Sequence, residues 1–212
     1  MTTVHSILGL PFFKSVSEIP DDEIEGTLNE AMVFLGEHNI ALDTLCEVDT
    51  RELYRFITEE LLVLEITDIR IEGMMHHFTY EEFHPNYPYD IKNRCTEFIN
   101  YIADKERDET IVPWGVADEI TSNGRVLTKN ELNESIVRFR ELFSVLTLIE
   151  SNHISVTLNE TQDEATAIVF VHYSGVTDGK QTVELTGNCI FNLRCEYKWW
   201  TIHQFETPWK IV

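Results

Sequence analysis

Chemistry in a protein cavity needs a group that exchanges protons and a wall that keeps water away from it. Asp118 is the acid in the most suggestive setting. It follows the apolar run Trp114-Gly115-Val116-Ala117, where burial would move a carboxyl pKa toward neutrality and suit it to general acid–base work. The alternative is a turn acid, since Ser122-Asn123-Gly124 lies just beyond. His172 and Tyr173 are neighbours in a strand-like run, so they face opposite ways and one of them points inward. An inward tyrosine either has its hydroxyl bonded in the core or serves as a general acid or ligand donor. Asp118, His172 and Tyr173 are therefore the catalytic candidates.

The last two strand-like runs supply candidate ligand contacts. Strict alternation puts Trp200, Ile202 and Gln204 on one face, with Trp199, Thr201, His203 and Phe205 on the other. The run before it has an apolar face of Leu185, Gly187, Cys189, Phe191 and Leu193. Its second face, Thr186, Asn188, Asn192, Arg194 and Glu196, is polar but includes Ile190, which suits partial cover by a dimer partner. Trp114, Asn188, Phe191, Trp200 and Gln204 are the residues that would line or anchor a ligand, against a plainer reading as core and surface.

His76-His77, Glu81-Glu82 and His84 gather five possible metal ligands in nine residues. As a strand, His76, Glu82 and His84 would share a face. At about 3.3 Å per residue, His76 and His84 lie too far apart to bind one ion without a tight bend. No metal or other cofactor is expected. The chain has no G-x-S-x-G nucleophile turn and no glycine-rich phosphate loop.

These residues depend on the elements that hold them. The chain has 212 residues, a formal net charge of −21, 43% hydrophobic and 11% aromatic residues, enough apolar material for a real core. The charge argues against nucleic-acid and anionic-membrane partners, which would be repelled. The start, MTTVHSILGLPFFKS, has no basic opening and no long apolar run, so no secretory signal is expected, and no apolar stretch is long enough to span a membrane. Cys46, Cys95, Cys189 and Cys195 lack C-x-x-C spacing and sit among apolar neighbours, which fits a reduced, cytoplasmic protein.

The charge is uneven. Residues 1–87 hold 18 acidic and 4 basic side chains, net −14; residues 88–212 hold 19 and 12, net −7. This shift, with Pro85 and Pro88, predicts a boundary between an acidic extension (1–87) and a second domain (88–212). In the extension, Pro20-Asp21-Asp22 starts a helix carrying Ile24, Leu28, Met32 and Leu35 that ends near Gly36. Asp49 or Thr50 caps a second, and two extended stretches from Ile66 to Phe83 meet in a hairpin around Glu72-Gly73. In the second domain a helix opens at Asp90-Ile91, the chain is extended from Trp114 to Ile120, and Thr128 with Glu131 makes a capping box. Four strands follow, two of them joined by a hairpin turn at Thr177-Asp178-Gly179-Lys180.

Helix, short extended pair, helix and four meandering strands is an unusual order. It resembles the nuclear transport factor 2-like superfamily, which includes ketosteroid isomerase, polyketide cyclases and scytalone dehydratase. The similarity lies in SNGRVLTKNEL (Ser122 to Leu132), in the strands joined by TDGK, and in the closing KWWTIHQF (Lys198 to Phe205), so it covers about residues 88–212. The resemblance implies an α+β fold: a cone-shaped, curved antiparallel sheet wrapped around helices, with a cavity at its open end and dimers through the outer face of the sheet. The catalytic aspartates of ketosteroid isomerase have no residue-by-residue counterpart here. The expected function is binding of a small apolar ligand in the cone. The alternatives are an isomerase, cyclase or dehydratase using Asp118 with a strand His or Tyr, and a protein-interaction module.

Overall fold

The computed structural model describes residues 2–3, 13–66, 74–104 and 115–211. By its contacts the chain divides into two units, Met1–Asn86 and Tyr87–Val212. The hairpin expected around Glu72-Gly73, and Trp114, lie outside the described residues.

In the first unit, β1 (Thr2–Thr3) pairs antiparallel with β3 (Glu65–Ile66). Helix α1 (Ile24–Glu37) lies between, followed by β2 (Ile40–Asp43) and α2 (Thr50–Arg55). Asp49 caps α2 by accepting from the N–H groups of Arg51 and Glu52 at 3.0 and 3.2 Å. The helix then widens into a π-helical turn, Phe56–Leu61, where the Leu62 N–H reaches back five residues to the Ile57 carbonyl. Strand β4 (His76–Thr79) pairs parallel with β2, a strand that the sequence reading did not anticipate. Tyr80–Phe83 forms a short helix, α3, where an extended stretch was expected. The reason is packing. Residues three apart share a helix face but not a strand face, and both Tyr80 and Phe83 place their rings 5.1 Å from that of Phe56. Ala31, Leu35, Tyr54, Phe56, Ile57 and Leu61 form the centre of this unit's core.

The second unit opens with α4 (Tyr87–Ala103), three residues earlier than Asp90. Its buried stripe is Ile91, Cys95, Phe98, Ile99 and Ile102. Strands β5 (Val116–Ser122) and β6 (Arg125–Thr128) form a hairpin through Asn123 and Gly124, both with positive φ. Helix α5 (Lys129–Glu141) carries the capping box: the Glu131 N–H donates to Thr128 Oγ1 at 3.3 Å, and Glu131 Oε2 accepts from the Thr128 N–H at 2.8 Å. Four strands complete the unit: β7 (Val145–Leu158), β8 (Glu164–Val176), β9 (Thr182–Glu196) and β10 (Trp199–Glu206). They join β5 and β6 in a six-stranded sheet of order β6-β5-β10-β9-β8-β7, antiparallel except for β5 beside β10. Breaks in register at Leu148/Glu150, His153/Ser155 and Ile202/Gln204 bend the strands, and the sheet curves around the helices. The architecture is α+β, a curved sheet wrapped on helices. No helix among the described residues is long and apolar enough to cross a membrane.

Candidate functional site

The curved sheet has two faces with different chemistry. The face toward the helices carries Ala165, Ala167, Val169, Val171 and Tyr173 from β8, and Cys189, Phe191 and Leu193 from β9, all buried. Phe98 of α4 sits against Phe191 and Phe205, with ring centroids 5.9 and 5.0 Å away. Trp200 is 2% exposed and meets the Tyr87 ring edge-on at 5.6 Å. Aromatic rings therefore pack against one another on this face. Arg140 is buried here as well. It donates from Nε to the Ile102 carbonyl at 3.1 Å and from Nη2 to the Tyr101 carbonyl, and its guanidinium lies 4.5 Å from the centre of the Tyr101 ring. A cation thus satisfies carbonyls of the last turn of α4, where the helix dipole is negative.

The catalytic candidates are not brought together. Asp118 stands on β5 with its side chain 96% exposed, and its carboxylate accepts from Lys129 Nζ at 2.9 Å. That hydrogen bond and charge hold its pKa below the usual carboxylate value, the opposite of what a general base near neutral pH needs. Tyr173 faces the core, where its hydroxyl donates to the Ile99 carbonyl at 2.7 Å. Burial raises its pKa well above the ordinary tyrosine value. His172 faces the other way and pairs through Nε2 with Glu184 at 2.6 Å; Ser174 Oγ donates to the same carboxylate. The histidine and the serine pull the Glu184 pKa down.

Of the ligand candidates, Phe191 and Trp200 are core residues and Asn188 is exposed on the helix-free face, opposite Phe170. Gln204 is also on that face, not beside Trp200 and Ile202 as strict alternation placed it. A bulge at His203 is the cause: Ile202 pairs with Leu193 and Gln204 with Asn192, so one residue of β10 has no partner and the alternation inverts beyond it. Phe205 then points into the core in place of Gln204.

The helix-free face has two features of its own. One is a groove of about 700 Å³, lined by Thr121, Thr166, Asn192, Arg194, His203 and Gln204 among others. Arg194 is held at 3.0 Å by Glu164, and Thr166 donates to Asn192 Oδ1 at 2.8 Å. His203 Nε2 is buried without a hydrogen-bond partner; burial, then the charge of Arg194, lowers its pKa, so the ring is neutral at pH 7. The second is an apolar centre: Ile168 lies beside Ile190 in the register, next to Phe170, all half-buried between polar rows. The sequence singles out Ile190 as an apolar residue on a polar face; Ile168 and Phe170 on the neighbouring strand are what the structure adds.

In the first unit, the His/Glu cluster is spread over separate partners. His77 pairs with Asp43 at 2.6 Å and His84 with Glu60 at 2.8 Å. Glu81 accepts from the N–H groups of Leu45 and Cys46 at 2.9 Å. The bend at Thr79–Tyr80 does not gather them: among the described residues, no group of three His, Cys, Asp or Glu is placed to hold a metal ion.

The sequence matches no protein-family model, and no curated protein matches it. Solved structures do match in fold. The Kfla4162 protein from Kribbella flavida superposes with a TM-score of 0.50 at 16% identity, over 58% of this chain and 90% of that one. A putative aromatic ring hydroxylase from Novosphingobium aromaticivorans gives 0.48 at 16% identity, over 57% and 89%. A hexachlorocyclohexane dehydrochlorinase, LinA type 2, gives 0.47 at 11% identity, over 57% and 85%. What is shared with the Kribbella protein is the fold, a curved and mostly antiparallel sheet wrapped around helices. Identity this low carries the fold and not the activity.

Proposed function

We propose that the chain is a non-catalytic protein-interaction module of the nuclear transport factor 2-like kind, and that its Tyr87–Val212 unit self-associates through the helix-free face of the sheet. The observation that carries this reading is the apolar centre of Ile168, Phe170 and Ile190 between rows of polar residues. An apolar core with a polar rim is the anatomy of a protein interface. A two-fold pair would set the strip against its own copy, so one patch serves both partners. The two other readings have less support. A small apolar ligand inside the cone would compete for space with Phe98, Phe191, Phe205 and Trp200. Isomerase, cyclase or dehydratase chemistry would need Asp118 near His172 or Tyr173, and each of these has a different partner.

One observation favours a second reading, a small polar ligand in the groove at the end of the same face. The neutral His203, with Nε2 buried and unpartnered, could accept a hydrogen bond there beside Asn192 and Gln204. For cellular setting we place the chain in a reducing, cytoplasmic environment. Cys95 and Cys189 are buried thiols, and burial pushes both up to about 12, which leaves them inert.

Light scattering on the purified chain tests the main reading. A dimer is expected, converted to monomer by Ile168→Glu with Ile190→Glu while the circular dichroism spectrum is kept. A wild-type chain that stays monomeric at high micromolar concentration sinks the proposal.

A further inference from the structure

We propose that the first unit docks a basic amphipathic helix from another protein, in the groove beside α1. The groove encloses about 790 Å³, entirely within the Met1–Asn86 unit. Its floor is apolar: Ile19 and Tyr54 are buried, and Phe13 and Phe34 pack edge-to-face at 5.5 Å. Val33 stands in the same groove 61% exposed, an apolar side chain with no described cover.

The rim names the occupant's charge. Glu23, Glu30 and Glu37 all line the groove and all are exposed. Glu30 and Glu37 lie on one face of α1 and Glu23 is its N-cap residue, so the three are spaced by seven residues at intervals of about 10 Å. None of the three forms an ion pair among the described residues. Lys14 is the single cation in the described lining. Glu37 stands in the last turn of α1, where the helix dipole disfavours a carboxylate and no basic residue offsets it. A carboxylate at the negative end of the helix with no ion pair among the described residues, in a groove with an exposed valine, is a local cost that a partner would remove.

Such a partner carries Leu-like side chains on one face for the floor and Lys or Arg at two-turn spacing for the rim, the helix-in-groove mode of recognition. A second copy of this chain does not fit, because its own excess of acid would face the same carboxylates. The inference is independent of the sheet-face reading, and either can fail alone.

The probe is a short fluorescein-labelled amphipathic helix of Leu and Lys, titrated with the full chain by fluorescence anisotropy. A scrambled peptide of the same composition is the control for charge alone. Glu30→Gln with Glu37→Gln is expected to weaken binding about tenfold, from the loss of two partly exposed ion pairs in a shared groove. Val33→Asp is expected to weaken it as well. Removing equal charge from the other unit, Glu160→Gln with Glu206→Gln, should leave it unchanged. The proposal is overturned if the helical peptide does not bind, if the scrambled peptide binds as tightly, or if the remote pair weakens binding as much as the groove pair.

Discussion

Two histidines of the second unit have their pKa values lowered by their surroundings, and this makes their contribution to stability depend on pH. His153 bonds through Nε2 to Thr96 Oγ1 at 2.9 Å, while its Nδ1 is buried with no partner. Burial first, and then the charge of Lys92, lowers its pKa; His203 is lowered by burial and by Arg194. Protonation would add an N–H donor with nothing to receive it, so the unfolded chain binds the proton more readily. Stability from these residues is complete above the unfolded histidine value of about 6.5 and declines as pH falls through it. Urea unfolding should therefore give a lower midpoint at about pH 5.5 than at about pH 7.5, a window that avoids the carboxylates lowered by Lys129 and His172. His153→Gln with His203→Gln should flatten the difference, and an unchanged slope in the double variant would remove these histidines as its cause. Neither role was legible in the sequence. His153 lies at a break in register, His203 is itself a bulge, and one inserted residue moves a side chain from one face to the other without a signature in residue type. Asp118 shows the reverse. Its apolar neighbours Val116 and Ala117 are buried as their types suggest, yet the acid itself turns outward to Lys129, which a linear reading cannot place.

Periodicity and capping made most elements of the second unit legible. The stripe of α4, the capping box of α5, the Asn123-Gly124 turn and the alternation of β9 each depend on residues close in sequence. The first unit was harder, because β2 and β4 pair across more than thirty residues, and the helical turn at Tyr80–Phe83 is set by the distant Phe56. One connection in the second unit remains chemically odd. Tyr197 and Lys198 join β9 to β10 with φ of 53° and 69°, the backbone of a type I′ hairpin turn. That turn favours Asn-Gly, whereas a tyrosine and a lysine are strained in the left-handed region. Tyr197 is 96% exposed, so no packing is lost by replacing it. Tyr197→Asn with Lys198→Gly should raise the unfolding free energy by about 1 kcal/mol, relief of left-handed strain outweighing the extra freedom glycine gives the unfolded chain. Equilibrium urea denaturation checks this, and a loss of stability would mean that the exposed tyrosine makes contacts the backbone argument ignores.

At the scale of the whole chain, charge separates the two proposed interactions. The net charge of −21 divides into −14 before residue 88 and −7 after it. Two copies meeting through the sheet face repel one another at long range, even though the centre of that face is apolar. Salt screens this repulsion within about 8 Å at physiological ionic strength, while the apolar contact is little affected. Self-association should therefore tighten as salt is raised. A basic helix at the Glu23, Glu30 and Glu37 rim is drawn in by the same charge, so its binding should weaken over the same range. The two trends have opposite signs and can be read on one sample, by sedimentation for the dimer and anisotropy for the peptide. If dimerisation weakened with salt instead, ion pairs across the interface would be carrying it, and Arg194 and Glu164 at the end of the sheet face would replace Ile168, Phe170 and Ile190 as the residues to mutate.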